Sequence, residues 1–408
     1  MTVSVDDIRA AHARISDGIE RTPLVHSRTL SEICGVEIWL KLENLQYTAS
    51  FKDRGALNKL LSLDDPEKTA GVVAASAGNH AQAVAWHATR LGIDATIVMP
   101  RSTPLVKVTN TEKLGATIVL EGDGVGEAAA HAADMAEESG SILVHPYDDA
   151  AIIAGQGTVA LEILDENPGI DTLVVPVGGG GLIAGCAIAA KDIAPDIDIV
   201  GVETVMYPSM HTGLFGETGR LTGGVSIADG ISVKSPGTLT LPIAKKLVSR
   251  IDLVREEDIE TAIHLFAEIE KQVVEGAGAT GLGAVLAYPD AYAGKRVALV
   301  VSGGNIDTRL LSSVFMRGLV RTGRLVRLGV QISDLPGNLA RVTDLIAGLG
   351  GNIVEVEHER WYRDVPVRMA QIEILVEVRN SGDGHSVAEG LADAGFPTRV
   401  LGTEYAPG

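Results

Sequence analysis

Along the first three quarters of the chain, short continuous apolar runs alternate with stretches of helical period. Residues 5–19 place Val5, Ile8, Ala11, Ile15 and Ile19 on one face behind Asp6 and Asp7, which predicts an amphipathic N-terminal helix. The run 37–42 reads as a strand, and a helix over 53–63 follows a polar turn. Strands are then expected at 71–76, 95–100, 117–121, 142–146, 172–177 and 197–202, with helices at 80–91, 104–114, 125–138, 151–164 and 182–193 between them. This alternation predicts βαβ crossovers and parallel sheets. Residues 204–240 lose periodicity and carry several glycines and prolines, as a long functional loop would. Pattern resumes with helices at 256–273 and 281–287 and a strand at 296–301.

Past a basic segment at Arg317, Arg321 and Arg324 the texture changes. A strand at 325–332, a turn at Asp334-Leu-Pro-Gly337, a helix at 338–349, strands at 352–358 and 369–378, a helix at 386–394 and a strand at 398–401 give the order βαββαβ. That is a ferredoxin-like unit of roughly 80 residues. The expected organisation is a catalytic domain over 1–322, with a smaller subdomain at about 50–146 inserted in it, and a second domain over 323–408.

Composition narrows the function. A chain of 408 residues with 46% hydrophobic content holds more than one core, and 47 glycines without a collagen-like period suit the many strand-to-helix turns of an α/β protein. A formal charge of −19 argues against nucleic acid or an anionic membrane as partner and favours a small molecule. Cys34 and Cys186 are the only cysteines, no signal-peptide pattern opens the chain, and no apolar run reaches membrane-spanning length. The expectation is a cytoplasmic protein without disulfides.

Candidate chemistry centres on Lys52 in Lys41-Leu-Glu-Asn-Leu-Gln-Tyr-Thr-Ala-Ser-Phe-Lys-Asp-Arg-Gly-Ala56. A lysine at a strand-to-helix junction faces the positive end of the helix dipole, which favours the neutral amine needed to form a Schiff base with an aldehyde. Position alone favours an ordinary surface lysine on a first helical turn, so the rest of the sequence decides. Three glycine-rich turns each end an expected strand: Ser76-Ala-Gly-Asn-His80, Gly178-Gly-Gly-Gly-Leu182 and Ser302-Gly-Gly-Asn305. At the carboxyl ends of parallel strands all three would face one crevice, and the four-glycine run would cradle a phosphate on backbone N–H groups. The same run satisfies a loose dinucleotide fingerprint through Gly179, Gly181 and Ala184, with Glu203 placed for a ribose, so an oxidoreductase is a rival reading. No Gly-Lys-Ser/Thr follows it, which disfavours a Walker-type site. His80 and His87, seven apart, read as packing or capping residues, and Glu275 as either a neighbour of the site or a helix-terminal acid.

Taken together, the ordered run from Lys41 to Ala56, the Ser-Ala-Gly-Asn-His turn, the four-glycine cradle and the Ser-Gly-Gly-Asn turn resemble the threonine ammonia-lyases, fold-type II pyridoxal phosphate enzymes, over nearly the whole chain. The resemblance implies that Lys52 holds the cofactor covalently and later moves the α-proton, that Phe51 lies against its ring, and that Asn79 bonds its 3′ oxygen. It further implies phosphate binding by Gly178, Gly179, Gly180, Gly181 and Leu182, a Ser302 hydroxyl at the pyridine nitrogen, and substrate carboxylate binding by Ser76, Ala77, Gly78, Asn79 and His80. The implied reaction is β-elimination from L-threonine, and from L-serine, to a 2-oxo acid and ammonia. Serine racemases of the family carry a second serine where Ala77 stands, as the acid/base on the opposite face, so Ala77 favours elimination. A monovalent cation at Glu203 and the Tyr207 carbonyl is implied, since Ser209 replaces a second acid. The C-terminal unit resembles an ACT domain, which implies either a site for a branched-chain amino-acid effector or a dimerisation module that has lost its ligand, and a homo-oligomer, dimer or tetramer, is expected. A non-enzymatic amino-acid sensor is the alternative, disfavoured by Lys52, Asn79 and Ser302 standing together.

Overall fold

The computed structural model describes residues 3–216, 223–359, 366 and 368–401. Its contacts divide the chain into two compact units, Met1–Ile306 and Asp307–Gly408.

Among its described residues unit one contains ten strands: β1 (Leu24–His26), β2 (Glu37–Leu42), β3 (Val72–Ala75), β4 (Ala95–Met99), β5 (Thr117–Leu120), β6 (Ile142–Leu143), β7 (Thr172–Pro176), β8 (Asp198–Thr204), β9 (Arg250–Val254) and β10 (Arg296–Val301). They form a six-stranded sheet in the order β1-β2-β10-β7-β8-β9 and a four-stranded sheet in the order β5-β4-β3-β6. The small sheet is entirely parallel. The large one is parallel except for β1, which runs antiparallel to β2. Every residue of β7 is buried, as a parallel strand covered by helices on both faces requires. Leu173, Val175, Ile183, Ile199 and Val300 belong to the core around the large sheet; Val72, Ala74, Ile97 and Met99 belong to that of the small one.

Several expected elements differ. The first helix ends at Ile15, short of residue 19, because Ser16-Asp17-Gly18 form a turn in which the Gly18 amide bonds the Ile15 carbonyl. A side chain at Gly18 would also strike Leu57. The helix expected over 256–273 is α-helical only from Glu256 to Leu265, passes through a π turn at Phe266–Glu270, and stops at Lys271 with φ of 56°. Asn44 holds the chain beyond it, donating from Nδ2 to Gln272 Oε1 at 3.0 Å and to the Val273 carbonyl at 3.3 Å. The next helix starts at Gly276, five residues before its apolar period begins. Gly276 and Gly278 are poor helix formers, but their missing side chains let the helix lie against the backbone of Ile227, Ala228 and Gly303, so packing overrides propensity. Helices at Ser209–Phe215 and Thr240–Leu247 and strand β9 occupy ground where no pattern was legible.

Unit two opens with helix Thr308–Arg321, capped by Asp307. Strands β11 (Leu325–Ser333), β12 (Asn352–Glu359), β13 (Met369–Glu377) and β14 (Thr398–Leu401) follow, with helices Asn338–Gly348 and Ser381–Asp393 between them. The sheet is antiparallel in the order β12-β13-β11-β14. This is the βαββαβ arrangement. Leu328, Val330, Ile372, Ile374, Val342, Ile346, Val387 and Leu391 form its core. The division falls at Ile306/Asp307, ahead of the expected Thr322, because the Thr308–Arg321 helix belongs with this unit: the Arg324 amide closes on its Leu319 carbonyl, and the Val378 amide bonds the Arg324 carbonyl. Among the described residues, no helix is long and apolar enough to cross a membrane.

Candidate active site

Lys52 is the first residue of helix Lys52–Leu61, and Ser50 Oγ accepts its backbone N–H at 3.2 Å. The turn before it contains Ala49 in the left-handed region at φ of 55°. That conformation is uncommon for a residue with a side chain, and Asp53 holds it by accepting from both the Thr48 amide and the Thr48 hydroxyl. The turn is stitched to the Ser302–Asn305 loop at the end of β10: Phe51 N donates to Ser302 O at 3.0 Å, Gly304 N to Ala49 O at 2.9 Å, and Ser50 pairs with Gly303.

The Lys52 amine donates to the Pro146 carbonyl at 2.7 Å and lies 5.1 Å from the centre of the Phe51 ring, which packs against the core of the large sheet. Burial pushes its pKa down to about 8, against the pull of the Glu275 carboxylate. A carbonyl oxygen holds the amine without keeping it charged, so Lys52 is close to half neutral at mildly alkaline pH.

Next to Pro146, Tyr147 lies over the four-glycine loop. A side chain at Gly179 would collide with its ring, and one at Gly181 would meet its carbonyl oxygen at 3.0 Å. Gly180 has a φ of 94°, a conformation that favours glycine, and caps helix Gly181–Ile193. Thr240 Oγ1 bonds Gly179 O at 2.7 Å, and Asp148 accepts from the amides of Thr238 and Leu239 at 2.8 Å, fixing the loop from behind. Leu182 is buried at the start of the helix.

The third loop, Ser76 to His80, ends β3. Ser76, Ala77, Gly78 and Asn79 are half-buried, with nothing within 4 Å of where a Gly78 side chain would stand. Asn79 Nδ2 donates to Glu275 Oε1 at 2.7 Å, and Asn305 Nδ2 donates to Asn79 Oδ1 at 2.8 Å, so this loop meets the Ser302 loop. His80 is buried, its Nε2 bonded to the Val144 carbonyl at 2.9 Å, and burial together with the nearby Lys52 pushes its pKa down to about 3. It is a neutral imidazole.

The structure thus brings together Phe51, Lys52, the Ser76–His80 loop, the Gly178–Leu182 loop and Ser302. Glu203 lies at the end of β8. Its buried carboxylate accepts from the amides of Met210 at 2.8 Å and His211 at 2.9 Å and from Ser209 Oγ at 3.3 Å, at the N-terminus of helix Ser209–Phe215. Burial raises its pKa to about 7. A carboxylate used this way is not presented to a ribose, which removes the main support for the dinucleotide reading. Tyr207 donates its hydroxyl to the Gly224 carbonyl at 2.6 Å. Among the described residues, no three His, Cys, Asp or Glu side chains gather as a metal cluster.

A desolvated lysine beside glycine-lined strand ends suits the capture of a phosphorylated aldehyde. The chain belongs to the pyridoxal-phosphate dependent enzyme family, whose profile matches residues 15–303. It is 44% identical to the L-threonine ammonia-lyase of Thermotoga maritima over 98% of this chain and 100% of that one. It is 45% identical to the L-threonine dehydratase catabolic TdcB of Staphylococcus aureus over 78% of this chain and 93% of that one. The structure of maize serine racemase superposes with a TM-score of 0.73 at 37% identity, covering 79% of this chain and 99% of that one.

The residues present fit pyridoxal phosphate. The glycine loop, bare of side chains of its own, offers backbone N–H groups at a helix start, and Lys52 offers an amine bound only to a carbonyl oxygen. Sequence reasoning left one participant open: Glu275, whose carboxyl engages Asn79.

Proposed function

We propose that this protein is a pyridoxal phosphate-dependent lyase that converts L-threonine to 2-oxobutanoate and ammonia, and L-serine more slowly to pyruvate and ammonia. The observation that carries the reading is Lys52, desolvated and held by the Pro146 carbonyl among the three glycine-rich loops. The cofactor, when bound, supplies the electron sink that accepts the electron pair left when the α-proton departs.

The chain's own residues do the rest. Lys52 would bind the cofactor aldehyde through its amine and, once displaced by the substrate amine, take the α-proton from one face. Gly178, Gly179, Gly180, Gly181 and Leu182 would hold the phosphate, and Asn79 the 3′ oxygen. The Ser302 hydroxyl would bond the ring nitrogen without delivering a full positive charge to it, which suits elimination. Ser76 to His80 would receive the substrate carboxylate on backbone N–H groups. Glu203 and the Tyr207 carbonyl would take a monovalent cation.

Turnover of L-threonine by the purified holoenzyme tests the reading. The expected result is 2-oxobutanoate with stoichiometric ammonia, and a larger kcat/KM for threonine than for serine. Protein that binds pyridoxal phosphate but releases neither keto acid would refute it. The βαββαβ unit is read as an ACT domain, with Asp334-Leu-Pro-Gly337 at its first strand-to-helix turn; there the Asp334 amide bonds the Arg368 carbonyl and Asn338 Nδ2 bonds Ser333 O at 3.0 Å. In the same assay, valine or isoleucine is therefore expected to shift the threonine saturation curve or the oligomeric state.

Ala77 makes a second prediction. It stands half-buried in the substrate loop and brings no proton donor to the face opposite Lys52. Ala77→Ser supplies a hydroxyl there at the cost of one oxygen atom in a loop with space beside it. Elimination of L-serine should survive within about 10-fold, while D-serine, absent from wild-type reactions, becomes measurable by chiral chromatography. If no D-isomer forms, residue 77 does not decide between the two outcomes.

A further inference from the structure

Glu275 occupies the N-cap position of helix Gly276–Ala287, where a carboxylate ordinarily accepts from its own helix. It makes no such bond. The side chain turns instead to Asn79, 196 positions earlier, and accepts a hydrogen bond from its Nδ2 at 2.7 Å, while the Glu275 amide donates to the Gly303 carbonyl at 3.0 Å.

The far side of Asn79 is equally fixed. Asn305 Nδ2 donates to Asn79 Oδ1 at 2.8 Å and to Thr48 O at 2.7 Å. An asparagine amide has two N–H hydrogens and one carbonyl oxygen. With the oxygen facing Asn305 and one hydrogen spent on Glu275, the amide cannot flip, and one N–H is left for a ligand oxygen.

Gly303 makes this arrangement possible. A Cβ there would collide with Glu275 Oε1, lie 2.9 Å from the carboxyl carbon and 3.2 Å from Asn79 Nδ2. The glycine between Ser302 and Gly304 therefore also houses the carboxyl that orients Asn79. The pocket around this carboxyl is charged on several sides: Lys52, Lys107 and Asp229 all act on it, and Lys107 pairs with Asp229 at 3.0 Å. Burial, with Asp229 adding to it, raises the Glu275 pKa to about 8.

We propose that Glu275 is the positioning residue for Asn79, holding its amide in the one orientation that presents an N–H to the 3′ oxygen of pyridoxal phosphate. This rests on Asn79 serving that oxygen, as stated under the proposed function. Glu275 would act through Asn79 and touch no reacting atom.

Equilibrium binding of pyridoxal phosphate to the cofactor-free protein, followed by the visible absorbance band and by quenching of tryptophan fluorescence, tests it. Glu275→Ala should weaken binding about 10- to 100-fold, the size of effect expected when a buried donor loses its acceptor. Glu275→Gln, whose amide oxygen can still accept from Asn79, should stay within about 3-fold of wild type. Asn79→Ala should lose as much as Glu275→Ala, and the double variant should lose no more than Asn79→Ala alone. Gly303→Ala leaves Glu275 in the chain but displaces its carboxyl, and should reproduce the Glu275→Ala loss even if that variant folds poorly. Additive losses, a Gln variant as weak as the Ala variant, or a Gly303→Ala variant that binds like wild type would each overturn the proposal. Wild-type protein that forms no band with pyridoxal phosphate would instead refute the underlying reading of the site.

Discussion

Replacing Lys52 by alanine is expected to abolish turnover and the visible absorbance band together while leaving the fold intact. The side chain makes one hydrogen bond, to the Pro146 carbonyl, and Glu275, the carboxyl that feels its charge, keeps its bond to Asn79 and the nearby Lys107. The chemistry of Lys52 has no substitute nearby. His80 is held neutral with its Nε2 on the Val144 carbonyl, and burial also lowers the pKa of His145, whose Nδ1 accepts from the amides of Tyr147 and Asp148. Neither offers a nucleophilic amine. Loss of both the covalent link and the proton acceptor predicts a drop in kcat on the order of 10⁴-fold or more. Lys52→Arg should be as inactive, because a guanidinium stays protonated. The pKa near 8 adds a second readout. Capture of the aldehyde by the cofactor-free protein requires the neutral amine, so its rate should rise as pH passes from 7 to 9 and level off above. An ordinary surface lysine would place that rise near pH 10.4. A wild-type capture rate without any rise below pH 9.5 would mean that Lys52 is neither desolvated nor the attachment point.

What the sequence made legible follows the reach of each signal. Strands β3, β4, β7, β8 and β10 are readable because a strand buried on both faces needs a continuous apolar run, and the glycine-rich turns betray strand ends by composition, whereas β1 and β9, at the two edges of the large sheet, carry no such run. Lys52 was readable because its neighbours in sequence are its neighbours in space. Glu275 was not decided, because its partner, Asn79, lies on another loop, and a helix N-terminus is an equally good home for an acid until the carboxyl is seen to turn away. The π turn at Phe266–Glu270 hid for a related reason: residues on either side keep an apolar period, and the break depends on Asn44 pulling Gln272 and Val273 out of register. Helix Thr308–Arg321 reads in the sequence as a basic segment because it buries only Val314 and Gly318, too few for a helical stripe to stand out. For Glu275 and the π turn, what the sequence lacks is a contact between residues far apart in the chain.

The largest such contact supports a second strong prediction. Arg54 is fully buried two residues after Lys52, and each of its five N–H donors has an acceptor: Glu43 at 2.7 and 2.8 Å, Glu162 at 2.6 and 2.8 Å, and Thr158 Oγ1 at 3.1 Å. Lys41, also fully buried, donates to Glu162 and to the Thr22 carbonyl. Two cations and two carboxylates thus balance inside the core, joining the end of β2, the Lys52 helix and helix Ala150–Glu166. Burial alone would raise the Glu162 pKa, yet Arg54 and Lys41 outweigh it and hold the carboxyl below its usual range. Arg54→Leu leaves two buried carboxylates facing one ammonium, and should destabilise the protein by about 3–5 kcal/mol. The sign of the pH dependence distinguishes this from a packing defect. A carboxylate stranded without its partner has a folded-state pKa above its unfolded one, so the folded variant takes up a proton as pH falls, and its deficit against wild type should shrink from pH 8 toward pH 5. Arg54→Lys should recover part of the loss, since one ammonium cannot bridge both carboxylates as a guanidinium does. Urea unfolding of the cofactor-free proteins at the two pH values measures both effects. A deficit that is the same at pH 5 and pH 8 would show that the charges are not what binds this junction. If the deficit does shrink, the lysine proposed to carry the chemistry is held by an ion network two residues away, and the variant's cofactor affinity relative to that of wild type at the same pH should recover with acid in parallel with its stability.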